Sequence, residues 1–122
     1  IILGSTDLSS AVQKFARGNK AFGRLSGNDG FIIREEGDTI YLAASKTKGV
    51  LNAVYRFLET NSDIIWVRPL EAEDGFGTVY GRTPDFTNTI TDFVDVPSFT
   101  HHRHWTARGE ATCRHEARLL NC

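Results

Sequence analysis

The stretch that decides the fold is "DGFIIREEGDTIYLAASKTKGVLNAVYRFLE", which runs from Asp29 to Glu59. Gly37 and Asp38 lie between two runs of strand-forming residues, and a glycine followed by an aspartate is a favoured two-residue hairpin turn. With that turn the register of the hairpin is set, so that Ile33 faces Leu42. We therefore predict an antiparallel hairpin.

The predicted hairpin has two faces, because successive side chains of a strand point to opposite sides of the sheet. One face is almost wholly apolar and consists of Phe31, Ile33, Ile40, Leu42 and Ala44. The other consists of Arg34, Glu36, Thr39 and Tyr41. The apolar face must be covered by another part of the chain.

The residues that follow the hairpin, Lys48 to Glu59, predict the helix that covers it. Their apolar side chains recur at the spacing of an α-helical stripe, which comprises Val50, Leu51, Val54, Tyr55, Phe57 and Leu58. Ser45 or Thr47 is suited to cap the start of this helix, and Asn61 is suited to its end. Burying one Leu- or Phe-sized side chain is worth roughly 1.5–3 kcal/mol, so this contact outweighs any surface effect.

The rest of the chain gives weaker patterns. Before the hairpin we predict a buried strand over Ile1–Leu3, a short helix over Ser10–Arg17 capped by Asp7 or Ser9, and an irregular glycine-rich segment anchored by Phe15, Phe22 and Leu25. After the helix we predict a strand from Ile64 to about Val67, a short strand within residues 78–81, and an extended segment containing Pro84 and Pro97.

Composition limits the function. The chain has 122 residues, 40% of them hydrophobic and 11% aromatic, which is enough to bury the core of one domain. It has 14 basic and 15 acidic residues and a formal net charge of −1. This balance argues against nucleic acid or an anionic membrane as the partner, because both select a basic surface. No apolar run approaches the length of a membrane span.

All four histidines lie in or near the segment "FTHHRHW", which begins at Phe99. A zinc site would use His101, His104, Cys113 and His115, but the spacings typical of structural zinc are missing. Cys113 with a nearby histidine is a second candidate, for nucleophilic catalysis, and it has no supporting context. Cys113 and Cys122 could also close a small loop, although two cysteines do not make a disulfide framework.

Other patterns are also weak. Glu71, Glu73 and Asp74 are candidate acid–base carboxylates, but they lie in a polar loop without an apolar pocket to raise a pKa. The "ILGSTD" turn lacks the glycine spacing of a phosphate-binding loop. The aromatic side chains suited to stack on sugar rings are Trp66, Tyr80 and Trp105. Trp66 is better explained as a core residue, whereas Trp105, close to Arg103, is the better binding candidate.

The hairpin–helix stretch together with "IIWVRP" resembles the non-catalytic N-terminal domain that precedes the barrel in several glycoside hydrolases, namely alpha-glucuronidases, beta-N-acetylhexosaminidases and related bacterial proteins of unassigned activity. The resemblance covers residues 1–105. The residues that carry it are Asp29–Ile33, Ile40–Leu42, Lys48 with Gly49, Val54 with Tyr55, Phe57–Glu59, and Trp66 with Pro69.

The resemblance implies an α+β fold, a small two-layer sandwich in which helices pack on one face of a mixed sheet. It further implies an accessory domain over residues 1–96, lacking the first strand and helix usual in these families, and over residues 97–122 a linker and the start of a truncated (β/α)8 barrel. On this interpretation the chain is a segment of a longer protein, and the catalytic carboxylates lie beyond it.

The resemblance also implies a substrate contact. In the hexosaminidases an arginine at the end of the first barrel strand contacts sugar hydroxyls. Arg103 is its counterpart here, although His102 occupies the expected spacing after Phe99. The candidate substrate-binding residues are therefore Arg103, His102 and Trp105, with no catalytic residue, no metal and no cofactor expected.

The expected partner is the catalytic barrel of the same polypeptide, with carbohydrate as a further candidate, and the expected location of the parent protein is secreted or periplasmic. Two alternatives remain open. One is a stand-alone carbohydrate-binding module that uses Trp105, Tyr80 and Arg103. The other is an interaction domain whose apolar face pairs with another subunit.

Overall fold

A computed structural model of the chain describes residues 1–66, 78–79 and 87–98. The strands are β1 (Ile2–Ser5), β2 (Phe31–Glu36), β3 (Thr39–Ala44), β4 (Ile65–Trp66), β5 (Thr78–Val79) and β6 (Asp92–Asp95). The helices are α1 (Ser10–Gly18), a 3-10 helix (Lys20–Leu25) and α2 (Thr47–Asn61).

The central sheet has four strands in the order β1-β3-β2-β6. The strand β1 runs parallel to β3, whereas β2 is antiparallel to both β3 and β6, so the sheet is mixed. The short strands β4 and β5 pair separately as an antiparallel ribbon. The predicted α+β fold with a mixed sheet is confirmed.

The hairpin has the predicted register. Ile33 lies opposite Leu42, and the strands are joined by a turn at Gly37 and Asp38. Gly37 has a φ of +57°, a backbone conformation that is sterically unfavourable for residues other than glycine. The two-residue turn and the alternation of side chains were sufficient to place every residue of this hairpin.

The predicted contact between α2 and the apolar face of the hairpin is confirmed. The buried residues of this cluster are Phe31, Ile33, Leu42, Ala44, Val50, Ala53, Phe57 and Ile90, with Ile40, Val54 and Phe93 packed at its margin. The stripe on α2 is narrower than predicted, however, since Leu51 is 44% exposed. The inward line instead runs through Val50, Ala53 and Phe57.

The arrangement of layers differs from the expectation in one respect, because helices cover both faces of the sheet. The second cluster combines the anchors Val12, Phe15, Phe22 and Leu25 with Ile32 and Ala43 of the hairpin. Ile32 and Ala43 make the second hairpin face half apolar, so it also needs cover. The structure thus places α1 and the 3-10 helix on one side of the sheet and α2 on the other.

Several local predictions are corrected. The strand β1 exists, but it is an edge strand on which Leu3 is 58% exposed rather than buried. The glycine-rich segment, predicted to be irregular, contains the 3-10 helix, although its three predicted anchors are buried as expected. Part of the extended segment after residue 86 forms β6, which completes the sheet.

Of the predicted N-terminal helix caps, the one on α1 is confirmed and the one on α2 is wrong. Ser9 caps α1 as predicted, because its hydroxyl accepts a hydrogen bond from the Val12 amide. Neither Ser45 nor Thr47 caps α2: Thr47 is already its first helical residue, and the Ser45 hydroxyl donates to the carbonyl of Leu25 instead. Asn61 ends α2 as predicted.

Candidate functional site

The edge of the sheet where β1 and β3 end is the part of this fold at which a ligand site is most expected. The two strands are parallel neighbours, and the helices that follow them, α1 and α2, lie on opposite faces of the sheet. In open α/β sheets, ligands commonly bind between such strand ends, because the chain diverges there and leaves a crevice.

In this chain the gap between the two strand ends is bridged by the backbone. The amide of Thr6 donates to the carbonyl of Ala44 at 3.1 Å, and the Thr6 hydroxyl donates to the carbonyl of Ser45 at 3.3 Å. The loop after β1 is therefore hydrogen-bonded across the end of β3. These contacts occupy the space between the two strand ends, where other α/β sheets have a crevice.

The start of α2 is packed tightly against the loop before β2. A Cβ atom on Gly49 would lie 2.5 Å from the Gly30 carbonyl oxygen and 2.7 Å from the Ala44 Cβ. At the surface of the same contact, the Lys48 ammonium lies 3.4 Å from the Asp29 carboxylate. The glycine and the ion pair fix the approach of the helix to the sheet.

One polar group at this edge has no partner among the described residues. The hydroxyl of Ser5, a residue only 1% exposed, makes no hydrogen bond there. Ser5 lies opposite Ala44 in the parallel register, so its side chain is on the α2 side of the sheet. We assign no chemistry to it, since a single buried hydroxyl without an adjacent base is not an activated nucleophile.

The aspartates and glutamates of the described residues are all exposed or half-exposed. The buried polar residues are Ser5, Asn19 and Asn61, and no described aspartate or glutamate is among them. Within the described ranges, no group of three or more His, Cys, Asp and Glu side chains could hold a metal ion. A carboxylic acid that donates a proton near neutral pH usually needs an apolar pocket, which these side chains lack.

The predicted substrate-binding residues Arg103, His102 and Trp105 lie outside the described residues, so the structure does not test them. The same holds for the histidine–cysteine candidates His101, His104, Cys113, His115 and Cys122, for the acidic trio Glu71, Glu73 and Asp74, and for Tyr80. The backbone of Trp66 lies in β4, where the sequence predicted a strand.

The structure draws attention to charged residues that the sequence patterns above do not single out. Four exposed cations, which we call the basic surface, are carried by α1 and the 3-10 helix: Lys14, Arg17, Lys20 and Arg24. No acidic residue occurs between Asp7 and Asp29. That gap in the acidic residues is a signal that charge counting by segment, rather than over the whole chain, would have found.

Comparisons with known protein families, with curated proteins and with solved structures return no match to this chain. The resemblance to glycoside hydrolase accessory domains therefore stays a prediction. Among the described residues, no helix combines the length and apolar character required to cross a bilayer.

Proposed function

We propose that this chain is a non-catalytic accessory domain of a glycoside hydrolase that acts on polysaccharide or glycan substrates. The catalytic barrel is carried by the same polypeptide outside this segment. The proposal starts from the resemblance of the Asp29–Glu59 stretch to such domains.

The observation that carries the proposal is the use the fold makes of the residues in that stretch. Phe31 and Phe57 lie together in the α2-side cluster, Gly49 allows the helix to approach Gly30, and Lys48 pairs with Asp29. These side chains are occupied by packing and by fixing the helix to the sheet. Such a unit supports a neighbouring domain and leaves the chemistry to that domain.

The charge chemistry of the described residues supports the same proposal. Glycoside hydrolysis requires two carboxyl groups that flank one bond, one of them usually in an environment that keeps it protonated. The described carboxylates are exposed or half-exposed, and the shorter of the two described ion pairs is the forked contact between Arg34 and Asp92 on adjacent strands. That pair links β2 to β6 and is already used by the fold.

A direct experiment is to incubate the 122-residue chain with aryl-glycosides of glucuronic acid and of N-acetylhexosamines. We expect no release of the chromophore above the rate of a heat-denatured sample. Release at rates typical of enzymes, roughly 1 s⁻¹ or faster, would show that the active site is within this chain and would overturn the proposal.

A second experiment reads the coding sequence on the far side of Cys122. We expect alternating strand and helix patterns of a (β/α)8 barrel, with two carboxylates at the carboxyl ends of its strands. A coding sequence that stops there, or that continues into a domain of another architecture, would contradict the proposal. We also propose that the parent protein is secreted or periplasmic, which cell fractionation with an antibody to this domain would test.

A further inference from the structure

The basic surface is a localised feature of this molecule. Lys14, Arg17, Lys20 and Arg24 are all exposed, and none of the four pairs with a carboxylate of the described residues. Of the other four described cations, Arg34 and Lys48 have carboxylate partners, Arg56 lies over the Phe93 ring, and Lys46 has no described carboxylate partner. The four cations are therefore available to an external anion.

The helical periods place all four cations on sides of the two helices that do not face the sheet. In α1, Val12 and Phe15 point to the sheet, which leaves Lys14 and Arg17, three residues apart, as neighbours on the outer side. The 3-10 helix has three residues per turn and buries Phe22, so its cations lie on its outward positions. The basic surface is thus the outside of the layer formed by these two helices.

The remaining described surface has the opposite sign. Outside this layer the described residues include four cations, Arg34, Lys46, Lys48 and Arg56, and nine carboxylates, Asp7, Asp29, Glu35, Glu36, Asp38, Glu59, Asp63, Asp92 and Asp95. The near-zero net charge of the chain therefore conceals a separation of charge within the described part. An anionic partner would be attracted to the basic surface and repelled elsewhere, which defines its orientation.

The neutral residues of the same layer indicate what kind of anion fits. The other exposed residues of the two helices and of the loop that follows them are mostly small, namely Ser10, Ala11, Gln13, Gly18, Gly23, Ser26 and Gly27. The aromatic rings of the layer are turned inward: Phe15 and Phe22 are buried, and Phe15 stacks on Tyr41 with ring centroids 4.4 Å apart. The surface therefore offers charge and little relief, without an aromatic platform.

We propose that the basic surface binds an acidic polysaccharide, a polymer whose carboxylate groups repeat along an extended, hydroxyl-rich chain. Arginine can hold a carboxylate through two parallel hydrogen bonds, and lysine supplies additional point charges. A polymer of this kind presents no large apolar side chain that would need a pocket. It can lie along a surface of small residues and contact several cations in turn.

Other polyanions fit the surface less well. Single-stranded nucleic acid is usually held by stacking on exposed aromatic rings, which the layer keeps buried. A membrane-binding helix inserts an apolar face, whereas the apolar face of α1 is used against the sheet, with Leu8 the one large apolar side chain exposed next to it. A protein partner usually contacts an aromatic or arginine anchor that enters a pocket, whereas the aromatic rings of this layer, Phe15 and Phe22, are buried in the core.

This inference rests on the proposed function for its choice of a sugar polymer and names the substrate class that such a domain would hold. The basic surface would then keep a carboxylated polymer close to the catalytic barrel without any bond being made or broken in this domain. The sign of the partner, in contrast, rests on the described charges alone.

The test measures binding of the full 122-residue chain to polygalacturonate in low salt, with fully methyl-esterified polygalacturonate as the neutral form of the same polymer. Two variants with the same change in net charge are compared: Lys14→Gln with Arg17→Gln in the basic surface, and Lys46→Gln with Arg56→Gln outside it. A variant with all four cations of the basic surface replaced by glutamine completes the set. Glutamine keeps a good helix propensity, so we expect all variants to fold, which circular dichroism checks.

We expect the chain to bind polygalacturonate but not the esterified polymer, and to bind less tightly as salt increases. One exposed ion pair changes an affinity by about 1.4- to 5-fold, so the fourfold variant should bind about fourfold to several hundredfold more weakly. The double variant in the basic surface should lose about two- to thirtyfold, and the control double variant should bind as tightly as the parent chain.

Four results would overturn the inference: no binding to polygalacturonate, equal binding to its esterified form, equal losses in the two double variants, or tighter binding of duplex DNA or phosphatidylserine vesicles at the same ionic strength. These results are independent of the test of the hydrolase assignment. Hydrolysis by this chain, or a different downstream domain, would leave a measured affinity for the polymer unchanged.

Discussion

Gly49 lies where α2 leaves no room for a side chain against the sheet and the loop before β2. The atoms that a Cβ would meet belong to the Gly30 and Asp29 carbonyls and to the Ala44 Cβ, none of which is the mobile end of a side chain. The glycine therefore has a packing reason to stand inside a helix, where it costs about 1 kcal/mol relative to alanine.

We predict that Gly49→Ala destabilises the chain by about 1–3 kcal/mol, because the overpacking of backbone atoms exceeds the gain in helix propensity. The matched control is Gly18→Ala in α1, where nothing lies within 4 Å of the added Cβ. The control should be neutral or slightly stabilising. Urea unfolding followed by circular dichroism gives both free energies, and a Gly49→Ala chain as stable as the control would show that the contact is not tight.

Asn61 connects the end of α2 to the segment that leads into β6. Its side chain is buried, its amide group donates to the Phe57 carbonyl at 3.0 Å, and its oxygen accepts from both the amide and the hydroxyl of Thr89, at 2.6 and 3.0 Å. The side chain of Asn61 thus hydrogen-bonds both to α2 and to the segment that precedes β6.

We predict that Asn61→Leu lowers the free energy of unfolding by about 1–3 kcal/mol, since the Thr89 amide loses its acceptor in a partly buried place. Asn52→Leu is the control on the same helix, because Asn52 is half-buried and makes one longer contact of 3.3 Å to the Asp29 carbonyl. We expect the control to cost less than half as much. Equal losses would mean that the Thr89 contacts add nothing beyond an ordinary surface amide.

At the scale of elements, the hairpin could be predicted from sequence and the edges of the sheet could not. The register of β2 and β3 follows from a local turn and the alternation of side chains, and both signals lie within 16 residues. The pairing of β2 with β6 joins residues about 60 positions apart, and no local pattern in a four-residue strand specifies such a partner. The exposure of Leu3 depends on the position of β1 at the edge, which is a property of the whole sheet.

The same distinction explains the corrected helix stripe. Val50, Leu51, Val54 and Phe57 are all compatible with one apolar side of a helix, and only the position of the sheet decides which edge of the stripe remains outside. The small residue Ala53 is buried in this contact, although its side chain adds little to an apolar pattern in the sequence. For the candidate site, the local sequence could reveal a run without acidic residues but not that all four of its cations are exposed.

Replacing two apolar residues of α2 tests the corrected stripe. Phe57 is 4% exposed and Leu51 is 44% exposed. We predict that Phe57→Ala costs about 3–5 kcal/mol through loss of buried surface and the cavity it leaves. Leu51→Ala should cost well under half of that. Urea unfolding measures the free energy of unfolding of both variants. Similar losses of stability for the two would support the broader stripe that the sequence pattern predicted.

At the scale of the whole molecule, the two buried clusters show which of the described residues form the core. All members of both clusters come from residues 2–57 and 90–96, on the two sides of one sheet. The strand β6 closes the sheet beside β2, and Ile90 enters the cluster under α2. The boundary that the resemblance implies at residue 96 stays a prediction, since the residues after 98 lie outside the described part of the chain.

We predict that a chain ending at Ser98 unfolds cooperatively, with a free energy of unfolding within about 1 kcal/mol of that of the 122-residue chain, because it keeps every described member of both clusters. A chain ending at Asp85 is the contrasting variant. It loses β6, the Thr89 contacts with Asn61, and Ile90, so it should lose several kcal/mol and expose its core to a hydrophobic dye. Urea unfolding of the three chains decides the matter. If truncation at Ser98 abolishes cooperative unfolding, residues after 98 belong to the folded unit and the boundary lies elsewhere.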